Sequence, residues 1–190
     1  KSPSMSPSVS PSASPTASGC YPRASKIKLK ATTGEFLHVT EFVATDPSNA
    51  DLTTNKSATH SSTYKDDIVK YGAANAVDGD TASEMHTKRG AADPNPEWTV
   101  ELGLSSEVSL VEIRNRYCVN MNDAANCLGR LSYAVVELLD SQDNVVTSKQ
   151  LGNTTGILDL SLDFNECVTT LPSTSPSVSP SKSPSVGPSV

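Results

Sequence analysis

Glu97-Trp98-Thr99-Val100-Glu101-Leu102-Gly103 sets Trp98, Val100 and Leu102 on one side of an extended chain and Thr99, Glu101 and Gly103 on the other. Strict alternation of this kind marks a strand with one buried and one wet face. The same pattern recurs on both sides of it. Lys26-Ile27-Lys28-Leu29-Lys30 alternates without exception. From Phe36 to Thr45, Leu37, Val39 and Val43 share one phase and Phe42 falls out of it. Val108, Leu110, Val111 and Ile113 change phase once, as a bulged strand does. Leu131 to Asp140 and Val145 to Leu151 flank Ser141-Gln142-Asp143-Asn144, a hairpin loop, and Leu158, Leu160, Leu162 and Phe164 close the series. A short turn of helix fits Tyr71 to Val77, and no window sustains a long helical period. The expected fold is all-β, an antiparallel jelly-roll β-sandwich flanked by disordered Ser/Pro-rich tails.

The flanks have a different composition. Residues 1–18 and 172–190 are S-P-S-x repeats, and residues 19–171 have ordinary globular composition. Frequent proline removes amide donors, and too little apolar surface is present to offset chain entropy. These tracts read as extended linkers. The chain opens inside such a repeat, as expected of a piece of a longer protein with domains in tandem.

The net charge is −6, and since the tails carry only Lys1 and Lys182, the middle stands at −8. An acidic domain argues against nucleic acid and anionic membrane surfaces. It is compatible with neutral ligands such as sugars and with calcium. No apolar run reaches the roughly 18 residues of a spanning helix, so no membrane insertion is expected.

Four cysteines allow three pairings. We favour Cys20–Cys167, which clamps the domain's ends, with Cys118–Cys127 closing a short loop; free buried thiols are the alternative. None forms a CxxC pair, which disfavours zinc. Two sequons, Asn55-Lys56-Ser57 and Asn153-Thr154-Thr155, agree with a secreted protein of the cell surface or cell wall.

Five blocks resemble the discoidin-like, galactose-binding-like superfamily and, within it, the fucose-binding F-type lectins, over about Asn55 to Phe164. They are Asn55-Lys56-Ser57-Ala58-Thr59-His60-Ser61-Ser62-Thr63, Ala74-Asn75-Ala76-Val77-Asp78-Gly79-Asp80, Glu97 to Gly103, Ile113-Arg114-Asn115-Arg116 and Arg130-Leu131-Ser132-Tyr133-Ala134. The resemblance implies a structural calcium (Ca2+). Asp78 would be a side-chain ligand, Asn75 and Asp80 would give carbonyl oxygens, and Glu166 would complete the set. It also implies a sugar site, for fucose or galactose, made by His86, Arg116 and Arg130. An imidazole and two guanidinium groups can fix hydroxyls that both donate and accept. Where that family has adjacent cysteines, Cys118 and Cys127 here have eight residues between them, which makes a larger flap carrying Asn120, Asp123 and Asn126.

Blander readings stand beside these. His38 and His60 are expected to face outward or to bond locally, and Trp98 to lie in the core. Arg116 could simply pair with a carboxylate; otherwise both arginines are expected to stay hydrated. No GxSxG, HExxH, phosphate loop or Cys/His pair suggests an enzyme. The function expected is an extracellular, carbohydrate-binding module recognising glycans; the alternative is an adhesive spacer domain that binds protein partners without sugar recognition.

Overall fold

A computed structural model describes residues 20–32, 34–118 and 127–165. Both linkers, 1–18 and 172–190, lie outside the described residues. Among the described residues nine strands form two antiparallel sheets, as the alternation requires. The five-stranded sheet runs β3 (Ala58–His60), β5 (Glu97–Glu107), β1 (Arg23–Lys30), β7 (Val135–Leu139), β8 (Val145–Gln150). The four-stranded sheet runs β4 (Met85–His86), β2 (His38–Thr45), β6 (Leu110–Asn115), β9 (Asp159–Asp163). The first two strands of the chain therefore sit inside the two sheets, not at their edges.

The inner faces supply the core. Ile27 and Leu29 of β1, Trp98 and Val100 of β5, and Val136 and Leu138 of β7 meet Phe42, Ala44, Val111 and Ile113 of the other sheet. Trp98 is fully buried with its ring 4.8 Å from that of Phe42. Each of the branched aliphatic and phenylalanine side chains among them contributes about 1.5–3 kcal/mol of burial. The indole nitrogen of Trp98 is satisfied too, donating to the Ala73 carbonyl at 2.9 Å.

Strand β2 corrects the sequence reading. Its pairing with β6 shifts between Val39 and Glu41, so Val39 and Phe42 both reach the core across a bulge. Val43 is thereby turned out of the core, where simple alternation had grouped it with Leu37 and Val39. His38 of this strand also departs from expectation, being fully buried rather than facing outward. Glu41 of the same strand is buried too. His60 is half-buried, with Nε2 3.2 Å from the Tyr71 carbonyl.

The helical turn expected at Tyr71 to Val77 divides into α1 (Ile68–Tyr71) and a 3-10 turn at Ala73–Ala76. Gly72 joins them, because a β-carbon there would sit 2.3 Å from the Ile68 carbonyl oxygen. Cys118 and Cys127 are disulfide-bonded to each other, with α-carbons 6.2 Å apart. Cys20 is also in a disulfide. Its expected partner, Cys167, lies outside the described residues.

A cationic, aromatic-floored cleft beside an oxygen-rich loop

The loop that follows the Ala73–Ala76 turn is built by short oxygen-bearing side chains. Gly79 adopts φ 77°, which a side chain would strain. Asp78 Oδ1 accepts from the Asp80 N–H at 2.9 Å, and Asp80 Oδ1 accepts from the Ala82 N–H at 2.9 Å. Three acceptors then converge on one hydroxyl. Ser83 Oγ lies 3.0 Å from the Asn75 carbonyl, 2.8 Å from Asp78 Oδ2 and 3.0 Å from the Asp80 carbonyl. A hydroxyl has a single proton to give, so two of these oxygens are left without it. The three residues expected at a cation site are thus brought together around Ser83, which the sequence reading passed over. Glu166 lies outside the described residues.

Glu41 faces the same loop from β2. Both of its carboxylate oxygens are buried and accept no hydrogen bond. Burial pushes its carboxyl up to about 7, and the nearby charge of Asp78 pushes the same way. The backbone N–H groups of Phe42 and Gly79 ease the charge without satisfying either oxygen. An orphaned, buried carboxylate beside convergent carbonyl, carboxylate and hydroxyl oxygens suits a hard cation. No group of three His, Cys, Asp or Glu side chains able to hold a metal occurs among the described residues. A cation here would therefore draw on backbone carbonyls and the Ser83 hydroxyl as well as on Asp78 and Glu41.

The loop ends in Glu84, Met85 and His86, and this short run connects it to the second feature. Strand β4 pairs with β2 through His38↔His86 and Val39↔Met85. Met85 plugs into the core and His86 turns outward to a cleft of about 610 Å3. Arg116 and Arg130 line that cleft too. The structure thus gathers all three residues expected to grip a sugar.

Each of the three is held firmly. His86 Nδ1–H donates to the Thr87 carbonyl at 2.7 Å, which leaves Nε2 as the acceptor of a neutral ring. Its ring stacks on Phe36 at 4.5 Å and on Tyr64 at 4.3 Å. Burial lowers the imidazole to about 4, with Arg116 and Arg130 adding to the effect against the Thr87 carbonyl. Arg116 follows β6, and its backbone N–H donates to Asn115 Oδ1 at 2.9 Å. Buried Asn115 also donates to the Leu128 carbonyl at 2.7 Å, so one amide aligns both arginine-bearing segments. Arg116 Nε pairs with Glu84 Oε2 at 2.6 Å. Arg130 sits on the 3-10 turn Gly129–Leu131, which approaches Thr155 so closely that a β-carbon on Gly129 would meet Thr155 Oγ1 at 2.9 Å. Its guanidinium lies over the Phe36 ring at 4.5 Å. Thr154 Oγ1–H and His38 Nε2–H, donating to the Leu128 and Cys127 carbonyls at 2.6 Å and 3.2 Å, fix the same segment.

Phe36, Tyr64 and Tyr71 form the apolar wall of the cleft, and Lys65, Lys88 and Arg89 stand at its rim. Lys65 and Asp66 both take positive φ, 55° and 57°, which sets Tyr64 against His86. Local sequence pattern does not single out these residues, because Phe36 comes from the β1–β2 connection and Tyr64 and Tyr71 from the β3–β4 connection. Asn120, Asp123 and Asn126 of the expected flap lie outside the described residues.

Against this geometry, residues 75–170 match the NedA-like, galactose-binding domain family. The chain belongs to that family. It is a discoidin-like, galactose-binding-like β-sandwich whose matched segment begins at Asn75, in the turn that leads into the oxygen-rich loop, and includes His86, Arg116 and Arg130. No curated protein and no solved structure is matched. Among the described residues, no helix of this galactose-binding-like domain is long and apolar enough to cross a membrane.

Proposed function

We propose that this domain is a carbohydrate-binding module of a larger extracellular glycoprotein, with its sugar site in the cleft of His86, Arg116 and Arg130. The observation that carries this reading is the convergence of those three side chains on one cleft with an aromatic wall. Two guanidinium groups give donors, neutral His86 gives an acceptor, and Phe36 and Tyr64 offer apolar surface to a sugar face. Membership of a galactose-binding-like family supports glycans as the ligand class. Fucose or galactose is the neutral ring that the expected trio would suit. The domain is read as a binder and not an enzyme.

Calcium would be held by the Asn75 and Asp80 carbonyls, the Asp78 carboxylate and the Ser83 hydroxyl, with the buried Glu41 carboxylate beside them. It would supply charge neutralisation to a buried acid and rigidity to a loop. The chain's own residues carry that rigidity onward. Asn75 Nδ2 donates to the Glu84 carbonyl at 3.2 Å and to the Lys70 carbonyl at 3.0 Å, so the loop and the segment leading into His86 are fastened together.

Secretion is supported by the one disulfide that joins the two arginine-bearing segments and by exposed Asn55 and Asn153 in their sequons. Tandem repetition along the Ser/Pro tracts would raise a weak affinity per domain through avidity. An array of immobilised glycans, probed with the full chain in calcium and in chelator, tests the reading. Binding that disappears in Arg130→Ala is expected. If no glycan is bound in either condition, the adhesive-spacer alternative replaces it.

A further inference from the structure

The cleft carries a charge that the whole chain does not. Lys65, Lys88, Arg89, Arg116 and Arg130 all line it, while the net charge of the chain is −6. No acidic side chain among the described residues lines the cleft itself. Three carboxylates answer these cations from outside. Asp66 pairs with Lys88 at 2.5 Å, Glu84 pairs with Arg116 at 2.6 Å, and Glu35 acts on Arg130 from a neighbouring depression that it shares with Arg89. That leaves an excess of about two positive charges around one concave site.

The excess groups have little else to do. Lys65 Nζ lies 5.3 Å from the Tyr64 ring centre, and the Arg89 guanidinium lies 5.9 Å from the Phe36 ring centre. Neither makes an ion pair among the described residues. Arg130 is disfavoured as a cation, first by burial and then by its neighbours Arg116 and Arg89. Like charges gathered in a partly dry site repel one another unless an anion is shared between them. A neutral sugar would leave that repulsion in place.

We propose that the cleft selects an anionic saccharide, a sugar ring bearing a sulfate ester or a carboxylate, with the ring against Phe36, His86 and Arg130 and the oxyanion directed to Arg89 and Lys65. The inference rests on the carbohydrate-binding reading and narrows it from glycans in general to acidic ones. Guanidinium forks suit such groups, since sulfate and carboxylate oxygens accept two parallel N–H bonds. The volume, about 610 Å3, falls within the roughly 300–1,000 Å3 of small-ligand sites. Five cations converge on this one concavity, as recognition of a compact anion requires.

The test uses the full chain and three oligosaccharides of one length: a sulfated galactan fragment, its desulfated form and a uronic-acid oligomer. Calorimetric titrations are run in about 50 mM and about 500 mM salt, since screening weakens exposed charge interactions. At low salt at least one acidic oligomer binds roughly tenfold more tightly than the neutral one, and the ratio shrinks at high salt. Whichever acidic oligomer gains identifies sulfate or carboxylate as the group read. Arg89→Gln and Lys65→Gln each lower the ratio severalfold with unchanged melting temperature. Equal binding of neutral and acidic oligomers overturns this inference and leaves the carbohydrate reading standing. Equal binding of polyacrylate, which has no sugar ring, also overturns it. Binding of no saccharide at all removes both.

Discussion

Glu84 Oε2 stands 2.6 Å from Arg116 Nε, and this contact ties the oxygen-rich loop to the cleft of His86, Arg116 and Arg130. The pair is half-buried, with side chains 14% and 29% exposed. Burial raises the Glu84 carboxyl, and Arg116 is the main group opposing that rise. Arg116 is therefore not a free, hydrated donor, and removing it strands a carboxylate. Arg116→Ala is expected to abolish glycan binding and also to cost about 1–2 kcal/mol of stability. In a domain of this size that is a drop of several degrees in melting temperature. The double variant Arg116→Ala/Glu84→Gln should recover most of the stability and none of the binding. Chemical denaturation alongside glycan titration checks both halves. An unchanged melt for Arg116→Ala would mean that the pair is immaterial to the fold.

Arg130→Ala separates the two effects in the other direction. Its guanidinium lies over Phe36 and makes no ion pair among the described residues. Losing a charged donor to a ligand hydroxyl typically costs about 1.5–3 kcal/mol, enough to erase a weak affinity. Binding should vanish while the melting temperature moves by less than it does for Arg116→Ala. Wild-type binding by this variant would remove the cleft from consideration as the sugar site.

Calcium should raise the melting temperature of the domain, and Glu41 should be needed for that rise. A ligand at 100 times its dissociation constant adds about 2.7 kcal/mol. Asp78→Ala and Glu41→Gln are both expected to abolish the calcium-dependent shift. They differ without calcium. Glu41→Gln removes a buried charge that has no hydrogen bond, so its metal-free melt should equal or exceed that of the wild type near neutral pH. Asp78→Ala removes the acceptor of the Asp80 N–H and should lower it. Melts in calcium and in chelator decide the matter; a chelator that leaves the wild type unmoved would show that no such cation contributes.

The alternation of Trp98, Val100 and Leu102, and of Ile27 and Leu29, was enough to read a sandwich, because burial on one face of a strand imposes a period of two. It failed at Val43, where the bulge between Val39 and Glu41 reverses the phase, and no local residue type announces that bulge. The Asp78-Gly79-Asp80 turn was legible because its geometry is local. Ser83 was within reach of the same reasoning, three residues further along an oxygen-rich loop. Glu41 was harder to see. Its only signal is an acid inside an otherwise buried strand, and its significance depends on a loop almost forty residues away. His86, Arg116 and Arg130 were found through family blocks and not through spacing. Phe36, Tyr64 and Tyr71 meet only when the loops between strands have folded, so they had no pattern to show. Overall acidity likewise concealed the local excess of cations, since net charge averages over the surface that a ligand never touches.

Both buried histidines are held neutral, and this sets the pH behaviour. Burial is the largest cause for each. His86 is lowered to about 4, helped by Arg116 and Arg130 and opposed by the Thr87 carbonyl. His38 is lowered to about 3, helped by His86, Arg130 and Arg116 and opposed by the Cys127 carbonyl. In the unfolded chain both titrate near 6.5. The folded form thus binds protons more weakly, so the stability held by the neutral rings is fully present above pH 6.5 and is lost as pH falls towards 4 and below. The loss is roughly 3 kcal/mol for His86 alone. His86→Asn keeps a donor for the Thr87 carbonyl and cannot protonate, so its stability should decline less steeply between pH 6.5 and 4. Glycan affinity should be flat from about pH 5.5 to about pH 8, because Nε2 of His86 stays an acceptor throughout. Melts and titrations across that range give both curves. A binding transition centred near pH 6.5 that disappears in His86→Asn would show the imidazole titrating as if in water, and the buried, stacked placement of His86 would then be wrong.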